Sequence, residues 1–564
     1  MTTTMAKLSR AVALAWGRPL ALSALSAISA ISAISAFSAM CFAPAARAVD
    51  LDSIQRGIAG LDVAKTSYNN WHIVPTLDVR ETYSDNVTLQ PSNRAHGQFM
   101  TDISPGVVVS HKGRRLKLNG QYQAHLYAHT GADYGTRRSS SQLNAAAKAE
   151  LVDDMVFVDG SASMRLQSIS PFGPQVSSNE YANTNSANVR TWQVSPYIVN
   201  RFGRIARSEL RYLHDSVDAG NSGLGSTTGD TLSARLASGR HWDDLGWSLA
   251  ASEQKIHDRV RNDSTIRMAS LNLSYQLRPT LAVTAAGFYD DYDYEAVGGA
   301  NGGGGGSGGL RWTPSARTSV EASAGHRYYG PSRSFRALHR SRRTSWDISY
   351  DDSVITTRAS FLRAGSVFPG TVIPLPGVPG GVPGGSTAAD LGGLFTPDAP
   401  PVIAPPPVIA PGYLNNVNFF SNRYSLQKQL RASMSLRAAR TTAVVTLFKL
   451  RREALSVRGV DSALLGNPVD TINDNVNQVG LSTTASYRLS PRSSLNLAAD
   501  ITDNESITTG FKARSRAARV TLRHQLGRNT AASAELRRVS GVSGLTAGAR
   551  YTENALSVSL NMQL

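Results

Sequence analysis

The chain has 564 residues, 41% of them hydrophobic, with 58 Lys+Arg against 41 Asp+Glu and a formal net charge of +17. A single cysteine excludes a disulfide framework and any cysteine-based zinc or iron–sulfur site. A mean hydropathy of −0.21 excludes a bundle of membrane-spanning helices, while the basic excess leaves nucleic acid, an anionic surface or an acidic polymer open as partner.

Residues 1–48 read as a secretory signal peptide. Lys7, Arg10 and Arg18 form a basic start without an acid, an apolar Ser-Ala-Ile run follows, and Ala46-Arg47-Ala48 fits a small-x-small cleavage site. A permanent anchor is the alternative, weakened by a serine at every third position of the run. Cys41 follows Met40, which is too large for lipoprotein processing. Cleavage after Ala48 removes the one cysteine and four basic residues, so +17 falls to +13 over 516 residues. A cysteine-free exported chain suits an oxidising compartment. Residues 49–70 are expected to form a short periplasmic segment, too small for an N-terminal plug domain.

From Trp71 onward the dominant period is two. Leu116, Leu118, Tyr122, Ala124, Leu126 and Ala128 share one face, against Lys117, Asn119, Gln121, Gln123, His125 and His129 on the other. The stretches 424–438 and 556–564 repeat the pattern. Successive side chains of a strand point to opposite faces, so each stretch reads as an amphipathic strand. Short turn signals recur near 112–113, 153–154, 202–203, 243–244, 278–279, 314–315, 351–352, 439–440, 491–492 and 527–528. Tyr197, Trp242, Tyr275, Trp312, Tyr350 and Tyr487 precede several of them, as an interfacial aromatic girdle requires. Longer loops fall between, near 170–187, 217–230, 291–309, 365–412 and 458–475. The stretch 298–309 is nearly all glycine and is expected to be a flexible loop; 365–412 is rich in Pro and Gly and is expected to stay out of any sheet.

Short turns on one side and long loops on the other predict an all-β fold: a transmembrane antiparallel β-barrel spanning 71–564, of about 22 strands within a range of 18–24. Strands in lipid must pair every backbone group, and only a closed sheet leaves no edge. The inward face meets water and stays polar, which accounts for the negative mean hydropathy. A soluble secreted β protein is the competing reading; it would alternate too, but has no need of aromatics beside the turns. Leu560, Met562 and Leu564 close the chain as the expected assembly signal, with Leu564 where bacterial outer-membrane barrels usually carry an aromatic.

The start of the barrel resembles a known family. Trp71-His-Ile-Val-Pro75 leads into Glu81-Thr-Tyr83-Ser-Asp85-Asn86-Val-Thr-Leu, then Thr101-Asp-Ile-Ser-Pro105-Gly106-Val and a Gly-Arg-Arg turn at 113–115. This stretch is similar to the outer-membrane β-barrel proteins associated with the PEP-CTERM/exosortase system, within the broader group of β-barrel porins. The resemblance implies a Gram-negative outer-membrane protein, often encoded beside exopolysaccharide genes. It brings no catalytic residues.

With the apolar register facing lipid, the inward bases are expected to include Lys117, Arg165, Arg207, Arg211, Arg235, Arg317, Arg423, Arg431, Arg437, Arg519 and Arg523. Inward acids are fewer: Glu150, Asp159, Glu209, Glu321, Asp347 and Glu535. A basic wall concentrates anions and repels cations; cross-strand pairing of these charges is the competing account. Lys512, Arg514 and Arg516 share the parity of the lipid face near a long loop, where lipopolysaccharide phosphates are a candidate partner and solvated loop charge the alternative. Arg336, Arg340, Arg342 and Arg343 form another basic run beside an expected loop.

Partners expected are outer-membrane lipid and lipopolysaccharide, the barrel-assembly machinery, and exopolysaccharide or its export proteins. Nucleic acid is not expected, because the bases are spread over strands of an exported chain. No enzyme signature is found: there is no P-loop, G-x-S-x-G or H-E-x-x-H, and His125 and His129 would stand roughly 13 Å apart along a strand, too far to share a metal. No cofactor is expected. The leading expectation is a wide channel for small anions or acidic saccharide chains, and the runner-up is a closed docking barrel whose loops bind surface polysaccharide or exported proteins.

Overall fold

The computed structural model describes residues 66–68, 70–130, 138–175, 185–220, 224–242, 244–364, 419–459, 461–466, 472–543 and 548–564. The leader, most of the segment 49–70 and the Pro/Gly-rich loop 365–412 lie outside the described residues. Twenty-three strands form one antiparallel sheet. The first, Thr66–Tyr68, is a three-residue hairpin arm against the start of Trp71–Ser84. The other 22 close on themselves, because Trp71–Ser84 pairs with both Gln98–Lys112 and the last strand, Ala549–Gln563. The expected barrel is therefore borne out, at the expected strand number.

Closure puts both strand termini on the side of the short turns, the periplasmic side of an outer-membrane barrel. The outward face carries exposed apolar side chains, among them Leu232, Leu249, Leu271, Leu447, Leu497, Leu536, Leu556 and Val558. Such a surface on a closed sheet is stable only in hydrocarbon, so the chain is an outer-membrane β-barrel. Tyr275, Trp312, Trp346 and Tyr487 stand outward beside the short turns and form the periplasmic girdle. Tyr197 does not join them. It lies on the inward face opposite Phe157 and Arg211, with the Arg211 guanidinium 3.8 Å from its ring centre, and Ile198 is the lipid-facing neighbour. Tyr350 lies in mid-strand, and Trp346 takes the height it was expected to fill.

Two further expectations are corrected. Asp351-Asp352 is inside the strand Thr344–Ile355, and the turn is at 341–343. The cause is a two-residue connection, Tyr328-Tyr329, on the side where loops are otherwise longer, which shortens that hairpin. Arg342 and Arg343 therefore sit in a periplasmic turn, with Arg336 and Arg340 on the strand before it. The glycine run is not a loop either. Gly302–Ser315 is a wall strand, paired along its length with Leu281–Tyr292 and Thr318–Arg327. Glycine weakens a strand because it has nothing to pack, but here both neighbours supply the ladder. Gly305 also leaves room inside: an added Cβ would meet the His326 carbonyl at 2.5 Å.

The residues of the resemblance close the seam. Tyr83 packs against Phe99 on the outer surface, ring centres 4.9 Å apart and planes tilted by 50°, and Glu81 accepts the Thr101 hydroxyl at 2.6 Å. Asp85 accepts the Asn554 backbone N–H at 2.7 Å and its side-chain amide at 2.8 Å. Asn86, fully buried, donates to the Gln90 and Thr552 carbonyls. Trp71 stacks on His111 at 4.5 Å at the periplasmic end, and Pro75 and Pro105 lie on the outward face beside Gly106 on the inward one. A Cβ on Gly106 would meet Thr76 and the Tyr122 carbonyl at 2.8 Å.

Candidate lumen and extracellular cap

Register fixes which side chains line the lumen. In the strand Ala206–Asp218 the odd positions face inward: Arg207, Glu209, Arg211, Leu213 and Asp215. Arg235 stands opposite Glu209, and Asp159 donates no charge to lipid but accepts from Arg211 at 3.3 Å. Glu209 takes the other side of the same guanidinium at 2.8 Å. Arg519 pairs with Glu535 at 3.3 Å and Arg336 with Asp347 at 3.6 Å, while Glu321 pairs with Arg311. Glu150 caps the adjacent turn through the Asp154 N–H. Cross-strand pairing therefore absorbs most of the inward acids that the alternation singles out.

It does not absorb the bases. Lys117, Arg165, Arg207, Arg431, Arg437 and Arg523 are on the inward parity, and none makes an ion pair among the described residues. Arg165 sits opposite Val189 and leaves one guanidinium nitrogen buried without a partner. Two expected wall residues are elsewhere. Arg317 lies in the turn between Gly302–Ser315 and Thr318–Arg327, because the wall ends two residues earlier. Arg423 precedes Ser425–Arg437 and pairs with the loop residue Asp474 at 3.2 Å. In both cases the alternation was extended past the end of a strand. Lys512, Arg514 and Arg516 do face outward at the extracellular end, Lys512 against Glu505 at 3.3 Å and Arg514 against Asp503.

The two halves of the lumen differ. On the periplasmic half, inward Lys117, Asn119, Gln121 and Asn144 are exposed. On the extracellular half, inward Ser84, Asp102, Ser104, Gln167 and Gln193 are buried. What covers them is a cap of loops folded inward. The helix Thr357–Ala364 enters the mouth after Thr344–Ile355; Phe361 packs on Phe420 at 5.0 Å and joins Val189, Val217, Leu224 and Leu465. A second cluster sets Tyr424 and Leu464 against Ile256, Ile266 and Val354. A third sets Phe172 and Phe419 against Val476 and Ala513. The wall residues of these clusters come from separate parts of the circumference, so the cap crosses the lumen.

Polar contacts lock the same loops. Arg358 on the helix reaches Asp215 and donates to the Thr227 hydroxyl at 2.9 Å. Asn473 accepts from Ser170 at 2.7 Å and donates to the Phe420 carbonyl at 3.1 Å. Asp474 holds Arg423 and Arg458 at 3.2 Å each. In the cap loop, burial pushes the Asp461 carboxyl up to about 6, against the Ala463 N–H, which lowers it. A closed lumen was weighed for the docking barrel, but the residues that form this cap were not foreseen; an eight-residue helix offers too little periodicity to detect.

Ser104, His125 and Asp102 meet on the inward face of Gln98–Lys112 and Leu116–His129. The Ser104 hydroxyl lies 2.7 Å from His125 Nδ1, and Asp102 Oδ2 is 3.0 Å from the same atom. A nucleophilic relay needs serine and carboxylate on opposite ring nitrogens. Here both share one, and Nε2 is buried without a partner. The group reads as a structural network. No cluster of His, Cys, Asp and Glu able to hold a metal is found among the described residues.

No family model matches the chain, and no curated protein matches it. Solved structures similar to it include the FrpB iron transporter from Neisseria meningitidis (F3-3 variant), at 11% identity and a TM-score of 0.46 over 92% of this chain and 83% of that one. The siderophore receptor PirA from Pseudomonas aeruginosa gives 11% and 0.41 over 87% and 80%. OccK8 (OprE) from Pseudomonas aeruginosa gives 9% and 0.27 over 88% and 98%. Likeness at this level leaves substrate and partners to be read from the chain's own residues.

Proposed function

We propose that this barrel is a capped outer-membrane channel that passes anions in preference to cations, by electrostatic and steric selection and without covalent chemistry. The observation that carries the reading is the imbalance on the inward face: Asp159, Glu209, Glu321, Asp347 and Glu535 are each engaged by arginine, while Lys117, Arg207, Arg431 and Arg523 keep no acid. Fixed unpaired cations along a low-dielectric wall raise the local anion concentration. Facing lipid, the same charges would cost roughly 2–4 kcal/mol each at the midplane.

Acidic saccharide chains are the extended form of that substrate class, and the resemblance of residues 71–130 to exosortase-associated barrels agrees with it. Reversal potentials across a planar bilayer in a salt gradient test the reading; anion preference is expected, and cation preference would sink it. The second reading, a sealed docking barrel, is favoured by one observation, the cap across the extracellular mouth. It requires zero conductance in the same bilayer even after the cap is loosened.

A further inference from the structure

The bases without acid partners are not spread evenly along the lumen. Lys112, Lys117 and Lys148 stand directly opposite one another on three neighbouring strands, all on the inward face; Lys148 also faces Asp159 on the next strand, while Lys112 and Lys117 have no acid. Arg201 and Arg207 form a like-charged opposite pair further round. Arg437, Arg488 and Arg523 stand within a few residues of their short turns, on the inward parity and exposed. Every one of these lies at the periplasmic end. The turns add Arg204, Arg317, Arg343, Arg440, Arg492 and Arg528 to the same rim. At the extracellular end, by contrast, three inward bases are matched, Arg327 to Asp290 at 2.8 Å, Arg537 to Glu553 at 3.0 Å and Arg358 to Asp215, and Arg165, which makes no ion pair among the described residues, is buried rather than exposed to the lumen.

Like charges directly opposite on a sheet face destabilise it. Lys148 is offset by Asp159 on the next strand and by the Phe157 and Tyr197 rings it lies over, but the Lys112–Lys117 pair costs stability that no acid offsets. Lys112 and Lys117 are exposed and make no ion pair. Their heads point into the vestibule, away from lipid, so membrane phosphates do not reach them. Above them the wall changes character. Asn119, Gln121 and Gln123, with Asn144 and Gln142 opposite the last two, present uncharged amides. Amides donate to and accept from hydroxyls. A charged mouth followed by an amide wall suits a chain bearing both carboxylates and hydroxyls, and it suits the inside of a tube better than the outside of a folded protein.

We infer that the periplasmic mouth is the docking site for a flexible carboxylated saccharide chain, which enters the barrel from the periplasm with its carboxylates on the Lys112/Lys117/Lys148 row and its hydroxyls on the amides above. The inference rests on the channel reading and adds a direction and a polymer class to it. The cap then stands at the exit, and the open vestibule at the entrance.

The test uses short oligogalacturonates on the full mature barrel in a planar bilayer. The barrel strands hold no cysteine, so Thr280→Cys in a short turn, labelled with an impermeant thiol reagent, marks the periplasmic side. Oligogalacturonate is expected to block current from that side at a concentration at least tenfold lower than from the other, and less strongly as salt rises. Neutral dextran oligomers of the same length are expected not to block. Lys112→Gln with Lys117→Gln should raise the half-blocking concentration at least fivefold, and Lys112→Arg with Lys117→Arg should restore it, which separates charge from folding. Equal block from both sides, or no change in the glutamine pair, overturns the inference. So does block by oligoglutamate with none by oligogalacturonate, which would make the mouth a protein-docking surface. Polarisation of a fluorescent oligogalacturonate on the detergent-solubilised barrel reads docking without current. Binding in a barrel that never conducts keeps this inference and removes the channel; anion conduction with no binding does the reverse.

Discussion

Arg358, on the short helix that enters the barrel mouth, pairs with Asp215 on the wall, and both side chains are buried, 143 positions apart in the chain. Breaking a buried ion pair from one side leaves a charge without compensation and costs about 3–5 kcal/mol. Arg358→Ala is therefore expected to undock the helix and loosen the cap while the sheet stays closed. Single-channel recordings should show larger or more frequent openings, with heat-dependent gel mobility unchanged. The double variant Arg358→Ala/Asp215→Ala should keep the cap better than Arg358→Ala alone. If Arg358→Ala conducts as the parent does, the helix does not restrict the mouth.

The cap also carries an acid that should make it respond to pH. Burial is the main cause of the raised Asp461 pKa, which stands at about 6 from an ordinary 3.8; Asp293 adds to the rise, and the Ala463 N–H and Arg261 oppose it. A docked-state pKa above the undocked one means the docked loop binds the extra proton. Docking is then strongest below about pH 4 and weakens as pH rises through 4 to 6, by on the order of 3 kcal/mol at most. Openings should become rarer between pH 7 and pH 5. Asp461→Asn should flatten that dependence, and a variant with the parent's pH profile would assign the response elsewhere.

Across the seam between the first and last wall strands, Ser84 donates to Glu553 at 2.7 Å and Arg537 donates to the same carboxylate at 3.0 Å. Thr82 and Ser557 bond at 2.9 Å one row below. Glu553→Ala strands the buried Arg537, though Glu535 remains 3.9 Å from it. Urea unfolding in lipid vesicles should show a loss of about 3 kcal/mol for Glu553→Ala and about 1 kcal/mol for Ser84→Ala. Equal losses for the two would mean that the serine, not the ion pair, holds the seam.

Strand number, the side of the short turns and the inward register of Lys117, Arg207 and Arg523 were legible in the alternation of the sequence, because lipid on one side and water on the other impose a period of two. Three kinds of feature were not. Gly302–Gly309 has only the Ser307 side chain and so shows no alternation, and its place in the wall is set by its neighbours' ladders. Arg317 and Arg423 fall just beyond strand ends, where parity no longer means direction. The cap depends on contacts such as Ser170–Asn473, 303 residues apart, which no local pattern records. Lys117 was visible singly, but the basic row at one mouth appears only once register places Lys112, Lys117 and Lys148 side by side.

The glycine strand gives the sharpest contrast between positions of one type. At Gly325, an added Cβ would lie 2.1 Å from the Gly306 carbonyl, and at Gly309 it would lie 2.5 Å from the Ala322 carbonyl. Both clashes are with backbone, so the ladder itself would have to part. At Gly308 nothing lies within 4 Å, and the position faces lipid between Ala285 and Ala324. Gly325→Ala is expected to lower the yield of folded barrel severalfold, read as the heat-modifiable band in outer-membrane fractions. Gly308→Ala should leave that yield unchanged, and should even favour it slightly, because alanine loses less backbone entropy on ordering than glycine. Equal tolerance at 325 and 308 would show that the two strands do not approach as closely as their register requires.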